Sequence, residues 1–402
     1  GFKAWRPDQK FVKDVASVPY DVVDYDEAIL LSKNNPKSFL NVVRADINFP
    51  KSNNPYSEEV YKKAKSNLQS LINDNTLIQE KRDSIYLYSQ KFNDHIQYGI
   101  VATCHIEDYE SGIIKIHEKT RKAKELDRVK YIESQNAHTG PVFLAYRDSK
   151  KINDYVNDLK LKTPLYHFIA DDHVEHTLWK FNDNSEIIDE FNKIPNAYVA
   201  DGHHRSASAV KVGIDRRNQN SNHNGEELYN YFLAVLFPES ELKILPYNRV
   251  VLSMNISIDE FRSLLVKDFV IEANGVDTPR KSGEICMFIE GAWNTLTLRN
   301  KKISSDPVMK LDVSILQDYI LSPILGIDDP RESANIDFIG GIKGTKELED
   351  WVNQKKAVIA FSLYPTSMND LFNVADAGKL MPPKSTWFEP KLRSGLLVNI
   401  FE

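Results

Sequence analysis

The stretch YVADGHHRSASA, residues 198–209, constrains the fold more than any other part of the chain. Tyr198, Val199 and Ala200 form a short apolar run of strand type. Asp201-Gly202 is a turn dipeptide, and Gly202 permits positive φ or a close backbone approach. Ser206, Ala207, Ser208 and Ala209 then give a thin first helical turn, able to pack close to a sheet or a nucleotide. The pattern predicts strand, tight turn and helix, with two histidines and an arginine at the junction. Such a junction gathers unpaired backbone N–H groups and the positive end of a helix dipole, which makes an anion site, above all for phosphate.

The side chains suit that chemistry. Arg205 can hold two phosphate oxygens through its planar fork. His203 and His204 can donate hydrogen bonds to phosphate oxygens or stabilise charge that develops during transfer, His204 being the catalytic candidate. Asp201 can hold Mg²⁺ or orient a histidine. Ser206 belongs with the nucleotide contacts. Asp-Gly turns are common at helix starts for purely structural reasons, but that alone does not account for His203, His204 and Arg205 following immediately.

Other runs set the surrounding architecture. Residues 57–73 read as an amphipathic helix capped by Ser57, with Glu58 and Glu59 in its first turn. SIYLYSQ (84–90), IQYGIVATCHI (96–106), GIIKIHEKT (112–120) and PVFLAYRD (141–148) read as strands, and RKAKELDRVKYIESQNA as a charged helix. LYNYFLAVLF and ELKILPYNRVVL are two more apolar strands. Further on, ISIDEFRSLLVKDF and DVSILQDYILSPIL read as helices, EICMFIEG and NTLTLRN as a hairpin, and NIDFIGG and KAVIAFSLYP as strands. The expectation is an α+β fold of mixed sheets with flanking helices, with a soft boundary separating a region 1–255, carrying HEKT and DGHHR, from an α+β region 256–402.

Composition removes several classes. At 402 residues the chain can bury a large core, and its 51 basic and 57 acidic residues are mixed along the length. No basic stripe asks for nucleic acid. No apolar stretch approaches the roughly 20 residues needed to span a bilayer. Cys104 and Cys286 make neither a zinc pattern nor a disulfide framework. The start GFKAWRP has no cationic n-region or apolar h-region, and Gly1 reads as a cloning remnant. The expectation is a soluble cytoplasmic protein with no nucleic-acid or membrane partner. Its oligomeric state is not readable.

Secondary constellations are weaker. His117, Glu118 and Thr120 lie in HEKT at the end of a strand-like run, where a carboxylate can accept a proton from an alcohol. Arg249 sits between two apolar runs, where an arginine takes a ligand or a salt bridge, Asp201 being a candidate. Arg121 and Arg128, on the helix following HEKT, can reach anionic ligands, although such residues more often form a solvated basic face. HFIADDHVEHTLW, with His173 and His176, matches no metal-ligand spacing. MPPKST lacks the glycines of a phosphate loop, and no GxxxxGK[ST] occurs. Gly340-Gly341-x-x-Gly344 is weak evidence of nucleotide contact.

DGHHR, HEKT, LPYNRVV and MPPKSTWFEPK, with WRP, SVPYDVV and NPKSF near the N-terminus, resemble the family catalogued as domain of unknown function 1015. The strand–DGHHR–helix unit preceded by a His-Glu pair also resembles the ParB/sulfiredoxin-like nucleotide-binding fold, and within it the free-serine kinases. That resemblance implies Asp201, Gly202, His204 and Arg205 at nucleotide phosphates and Glu118 as catalytic base. ATP or ADP with Mg²⁺ is the expected cofactor, and His117, Thr120 and Arg249 are candidate contacts to a small hydroxyl substrate, free L-serine being the one the resemblance suggests. Two other readings stand beside the kinase. One is a ParB-like nucleotide-binding regulatory protein. The other is a metal-dependent hydrolase using Asp201, His203 and His204, with further ligands such as His117.

Overall fold

The computed structural model describes residues 1–299 and 304–401. The chain forms two compact units. The first comprises Gly1–Ile116, Thr120–Leu242 and the segment from Pro390 onward; the second comprises His117–Lys119 and Lys243–Glu389.

The first unit is built on an eight-stranded mixed sheet. In chain order its strands are β1 (Tyr86–Phe92), β2 (His95–His105), β3 (Ile114–Lys115), β4 (Val142–Tyr146), β5 (Tyr166–Ile169), β6 (Glu175–Lys180), β7 (Ala197–Asp201) and β8 (Tyr231–Pro238). They lie side by side as β3-β7-β4-β8-β2-β1-β6-β5. β7 runs parallel to β3, and β8 parallel to β4, while the other pairs are antiparallel. All five residues of β4 are buried, as are Ala197–Ala200 of β7. This is why both read as unbroken apolar runs rather than alternating ones.

Three helices matter to the candidate site: α1 (Glu58–Asn73), α2 (Lys122–Gln135) and α3 (His203–Gln219). Val129 and Ile132 of α2 join Ala209, Val210 and Val212 of α3 in one hydrophobic core with Leu144, Val199 and Ala234 of the sheet. Ser57 stands at the N-cap of α1, yet its hydroxyl makes no capping hydrogen bond. GIIKIHEKT also departs from expectation. Only Ile114–Lys115 pairs as strand, and HEKT follows as irregular chain, so the strand-based alternation of His117 and Glu118 does not apply.

The second unit carries a six-stranded sheet that is antiparallel throughout. Its strands are β9 (Tyr247–Val251), β10 (Phe269–Ala273), β11 (Glu284–Ile289), β12 (Ala292–Leu298), β13 (Ile336–Gly340) and β14 (Ile359–Leu363). The expected hairpin is β11–β12; Asn300, the last residue of NTLTLRN, lies outside the described residues. Helix α4 (Ile258–Asp268) starts at Ser257, whose side chain accepts the Glu260 N–H. DVSILQDYILSPIL begins as a short α-helix, Asp312–Leu316, and widens into a π-turn over Gln317–Leu321. The chain is therefore α+β, with mixed and antiparallel sheets and flanking helices. Among the described residues no helix is long and apolar enough to cross a membrane. Cys104 and Cys286 are free, and burial pushes both thiols up to about 12.

Candidate functional site

The DGHHR turn forms as the sequence requires. Val199 pairs with Leu144, but Asp201 pairs with Phe143, so Ala200 is an extra residue in β7. A bulge of this kind bends the strand and re-aims the next side chain, here that of Asp201. Gly202 follows in the left-handed region at φ +94° and caps α3, a conformation that costs a residue with a Cβ about 1–2 kcal/mol. The leading N–H groups of α3 are directed outward from its first turn, as at any helix start.

Beneath the turn lies an alternating chain of charges inside the first unit. The Arg205 guanidinium is buried, and it donates to the Pro141 carbonyl at 2.6 Å. Its other terminal nitrogen reaches both Asp21 oxygens, at 3.2 and 3.4 Å, and stands 3.9 Å from Asp201. Asp201 accepts from Lys391 Nζ at 3.3 Å and from the Gly202 N–H at 2.9 Å. Burial acts to raise the Asp201 carboxyl, but the cations Lys391 and Arg205 overcome it and hold the group well below the ordinary carboxylate range.

That depression makes a pH prediction. A carboxylate held lower in the folded chain than in the unfolded one stabilises the fold above its unfolded value, about 3.9. The contribution is lost as pH falls through the folded value. Urea titrations from pH 6 downward should therefore show wild type losing stability in the acid range more steeply than Asp201→Asn. Parallel curves for the two proteins would show that the Asp201–Lys391–Arg205 contacts carry no stability.

The same chain of charges bears on Asp201 as a Mg²⁺ ligand. Its carboxylate is already shared between an ammonium and a guanidinium, and a divalent cation there would meet both positive charges. The donor set does not fit the ion, and Asp201 is better described as holding Arg205 and Lys391. The remaining loop residues have distinct settings. His203 is buried beside Asp201. His204 Nε2 accepts the backbone N–H of Arg121 at 2.9 Å. Ser206 is fully buried, and its hydroxyl donates back to the His203 and Gly202 carbonyls. Thr120 donates its hydroxyl to Glu125 at 2.9 Å at the head of α2.

His117, Glu118 and Arg249 belong to the second unit. His117 is buried, with Nε2 3.3 Å from the Thr386 hydroxyl and its carbonyl accepting the Met381 N–H. Glu118 is half-buried. Arg249, expected to take a ligand or a salt bridge, donates to the carbonyls of Tyr247, Pro383 and Lys384, the last two at 3.0 and 2.9 Å. Burial pushes it down to about 10, opposed by Tyr247 and the charge of Glu118, so it remains a cation at neutral pH. MPPKST thus wraps a buried guanidinium with its backbone. Gly340 and Gly341 serve packing: a Cβ would come within 2.9 Å of the Trp387 ring and 2.6 Å of the Pro246 carbonyl.

Sequence reasoning missed Asp21, Lys391 and the role of Arg128. Asp21 and Lys391 were visible as members of SVPYDVV and MPPKSTWFEPK, but nothing in the spacing joins either to the turn. Arg128, expected on a solvated face, is buried, paired with Asp127 and lying 3.8 Å from the Tyr20 ring centroid. The HFIADDHVEH histidines are likewise structural in part. His176 is buried between the Tyr88 hydroxyl (2.7 Å) and Arg393 Nε (3.1 Å), and Arg393 also pairs with Asp172.

No curated protein matches the chain by sequence. Among solved structures, it is similar to a free serine kinase in complex with AMP at 11% identity and a TM-score of 0.41, covering 75% of this chain and 91% of that one. It is similar to SbnI with C-terminal truncation from Staphylococcus aureus at 11% identity and a TM-score of 0.42, covering 75% and 87%. A conserved hypothetical protein from Pyrococcus furiosus gives 12% identity and a TM-score of 0.38, covering 75% and 95%. The family described as protein of unknown function, DUF1015, matches residues 1–314. With more than half its length matched, and with the DGHHR, HEKT and SVPYDVV segments inside that span, the chain belongs to the DUF1015 family.

Proposed function

We propose that this chain is a nucleotide-dependent kinase that phosphorylates a small hydroxyl metabolite, with free L-serine as the first acceptor to test. The observation that carries the reading is the left-handed Gly202 at the head of the 17-residue helix α3. It lets the chain turn sharply into the row of leading backbone donors of α3, the arrangement that suits a phosphate group, while its Cβ position lies 3.4 Å from the Arg205 guanidinium. Asp201 and Arg205 brace the turn from below, and His203 and His204 stand on its first residues. The likeness of Asp-Gly-x-His-Arg to the phosphate loop of free-serine kinases supports a nucleotide as the phosphate source. Phosphoryl transfer needs little covalent chemistry from the protein beyond positioning, charge stabilisation and a carboxylate to receive the hydroxyl proton. Glu118 is assigned that last role on the same likeness.

Incubating the purified chain with Mg²⁺, ATP or ADP, and a panel of hydroxy amino acids tests the reading. The expected result is nucleotide turnover that requires the acceptor, with a phosphomonoester as product. Nucleotide binding without acceptor-dependent turnover would favour the regulatory, ParB-like reading instead.

A further inference from the structure

A small pocket of about 40 Å³ opens in the first unit, lined by Tyr20, Arg128, His138, Gly140, Arg205 and Ser394 among others. Its polar lining is rich in donors. Arg128 lies between the Tyr20 and Tyr131 rings, 3.8 and 4.0 Å from their centroids. It donates to Asp127 through Nε and Nη2 and to the Val43 carbonyl through Nη1, which leaves part of its five-donor fork over. Arg205 spends its terminal nitrogens on Pro141 and Asp21, while its buried Nε has no hydrogen-bond partner. His138, only 5% exposed, makes no hydrogen bond of good geometry through either ring nitrogen, although the Tyr231 backbone stands near enough to favour its protonated form. Burial and the charge of Arg216 push His138 down to about 3, so it is a neutral ring offering one N–H. Buried polar atoms left without partners cost stability unless a ligand or water meets them.

We propose that this pocket binds the carboxylate of a small amino or hydroxy acid. Two arginine forks at one small cavity match a planar oxyanion. A volume of about 40 Å³, set against the roughly 10–15 Å³ that one water needs, has room for a carboxylate group. Val43 and Ile132 on the wall suit the carbon that carries it. Insofar as it names the acceptor, the proposal rests on the kinase reading: an acceptor held by its carboxylate is a hydroxy acid rather than a neutral alcohol. The pocket itself can be tested without nucleotide.

The probes are acetate, L-serine and serinol, the last being L-serine with its carboxylate replaced by a hydroxymethyl group. The readout is the His138 ring NMR signal of the full chain. Acetate and L-serine should shift it saturably, and serinol should not. Gly140→Ala supplies a variant that folds, since its Cβ would meet only Ser394 Oγ at 3.5 Å and Arg205 Cδ at 3.7 Å, ordinary contacts. The added methyl stands between two lining residues, Ser394 and Arg205, and narrows the cavity, so carboxylate binding should weaken about tenfold or more, with an unchanged melting temperature. Serinol binding as well as L-serine, Gly140→Ala binding as well as wild type, or no saturable shift because water alone fills the pocket would each overturn the proposal. Carboxylate binding without phosphoryl transfer would sink the kinase reading and leave the pocket standing, and the reverse result would do the opposite.

Discussion

Glu118→Gln is expected to lower acceptor-dependent turnover by about 10²–10⁴-fold while leaving nucleotide affinity nearly unchanged. Glutamine keeps the size and hydrogen-bonding reach of the side chain but cannot take a proton. The loss should therefore appear in kcat rather than in nucleotide Kd. Glu118 is half-buried on irregular chain after β3, in no helix or strand, so the substitution removes no backbone pairing and the fold should persist. Its charge acts on the buried Arg249, a cation that donates to three carbonyls and lies over the Phe338 ring. A modest change in melting temperature is therefore compatible with the reading. Full turnover in the glutamine variant would remove the proposed base, and the regulatory reading would then account better for the DGHHR loop. A parallel loss of nucleotide affinity would place Glu118 at the nucleotide rather than at the acceptor.

What the sequence made legible was local, and what it hid was long-range. The strand–turn–helix at 197–219 could be read because each residue class acts within its own few neighbours: apolar β7, a glycine free to take positive φ, small residues at the start of α3. HEKT was misread as strand because Ile113, Ile114 and Ile116 give a β-branched run, while pairing decides strand content and only Ile114 and Lys115 find a partner in β7. The setting of Arg205 could not be read at all. Its main carboxylate partner, Asp21, lies 184 residues earlier, and Lys391, which completes the charge chain at Asp201, comes from the C-terminal segment. Arg249 shows the same limit from the other side. A buried arginine suggests a ligand or a salt bridge, but its hydrogen bonds go to the carbonyls of Tyr247, Pro383 and Lys384, and carbonyls leave no mark in a sequence.

The burial of Arg205 changes what its removal should do. An exposed phosphate-binding arginine could be truncated with the fold intact, at a cost in nucleotide affinity alone. Arg205 is instead 8% exposed and joins the Pro141 carbonyl, Asp21 and Asp201. Arg205→Ala leaves a buried carbonyl without its donor and two carboxylates without their shared cation. Breaking a fully buried pair costs about 3–5 kcal/mol. Asp21 is 35% and Asp201 29% exposed at the side chain, and Lys391 still covers Asp201, so solvent screening brings the expected loss to about 2–4 kcal/mol. Urea denaturation at neutral pH, followed by a probe in the first unit, measures it. A double-mutant cycle with Asp21→Asn apportions it: a coupling above about 1 kcal/mol is expected for charges in direct contact. Nucleotide affinity should then be read on Arg205→Lys, which keeps the charge near Asp21 and Asp201 but lacks the planar fork. If Arg205→Ala is as stable as wild type, the charge chain is no structural element, and Arg205 is free to serve the ligand directly.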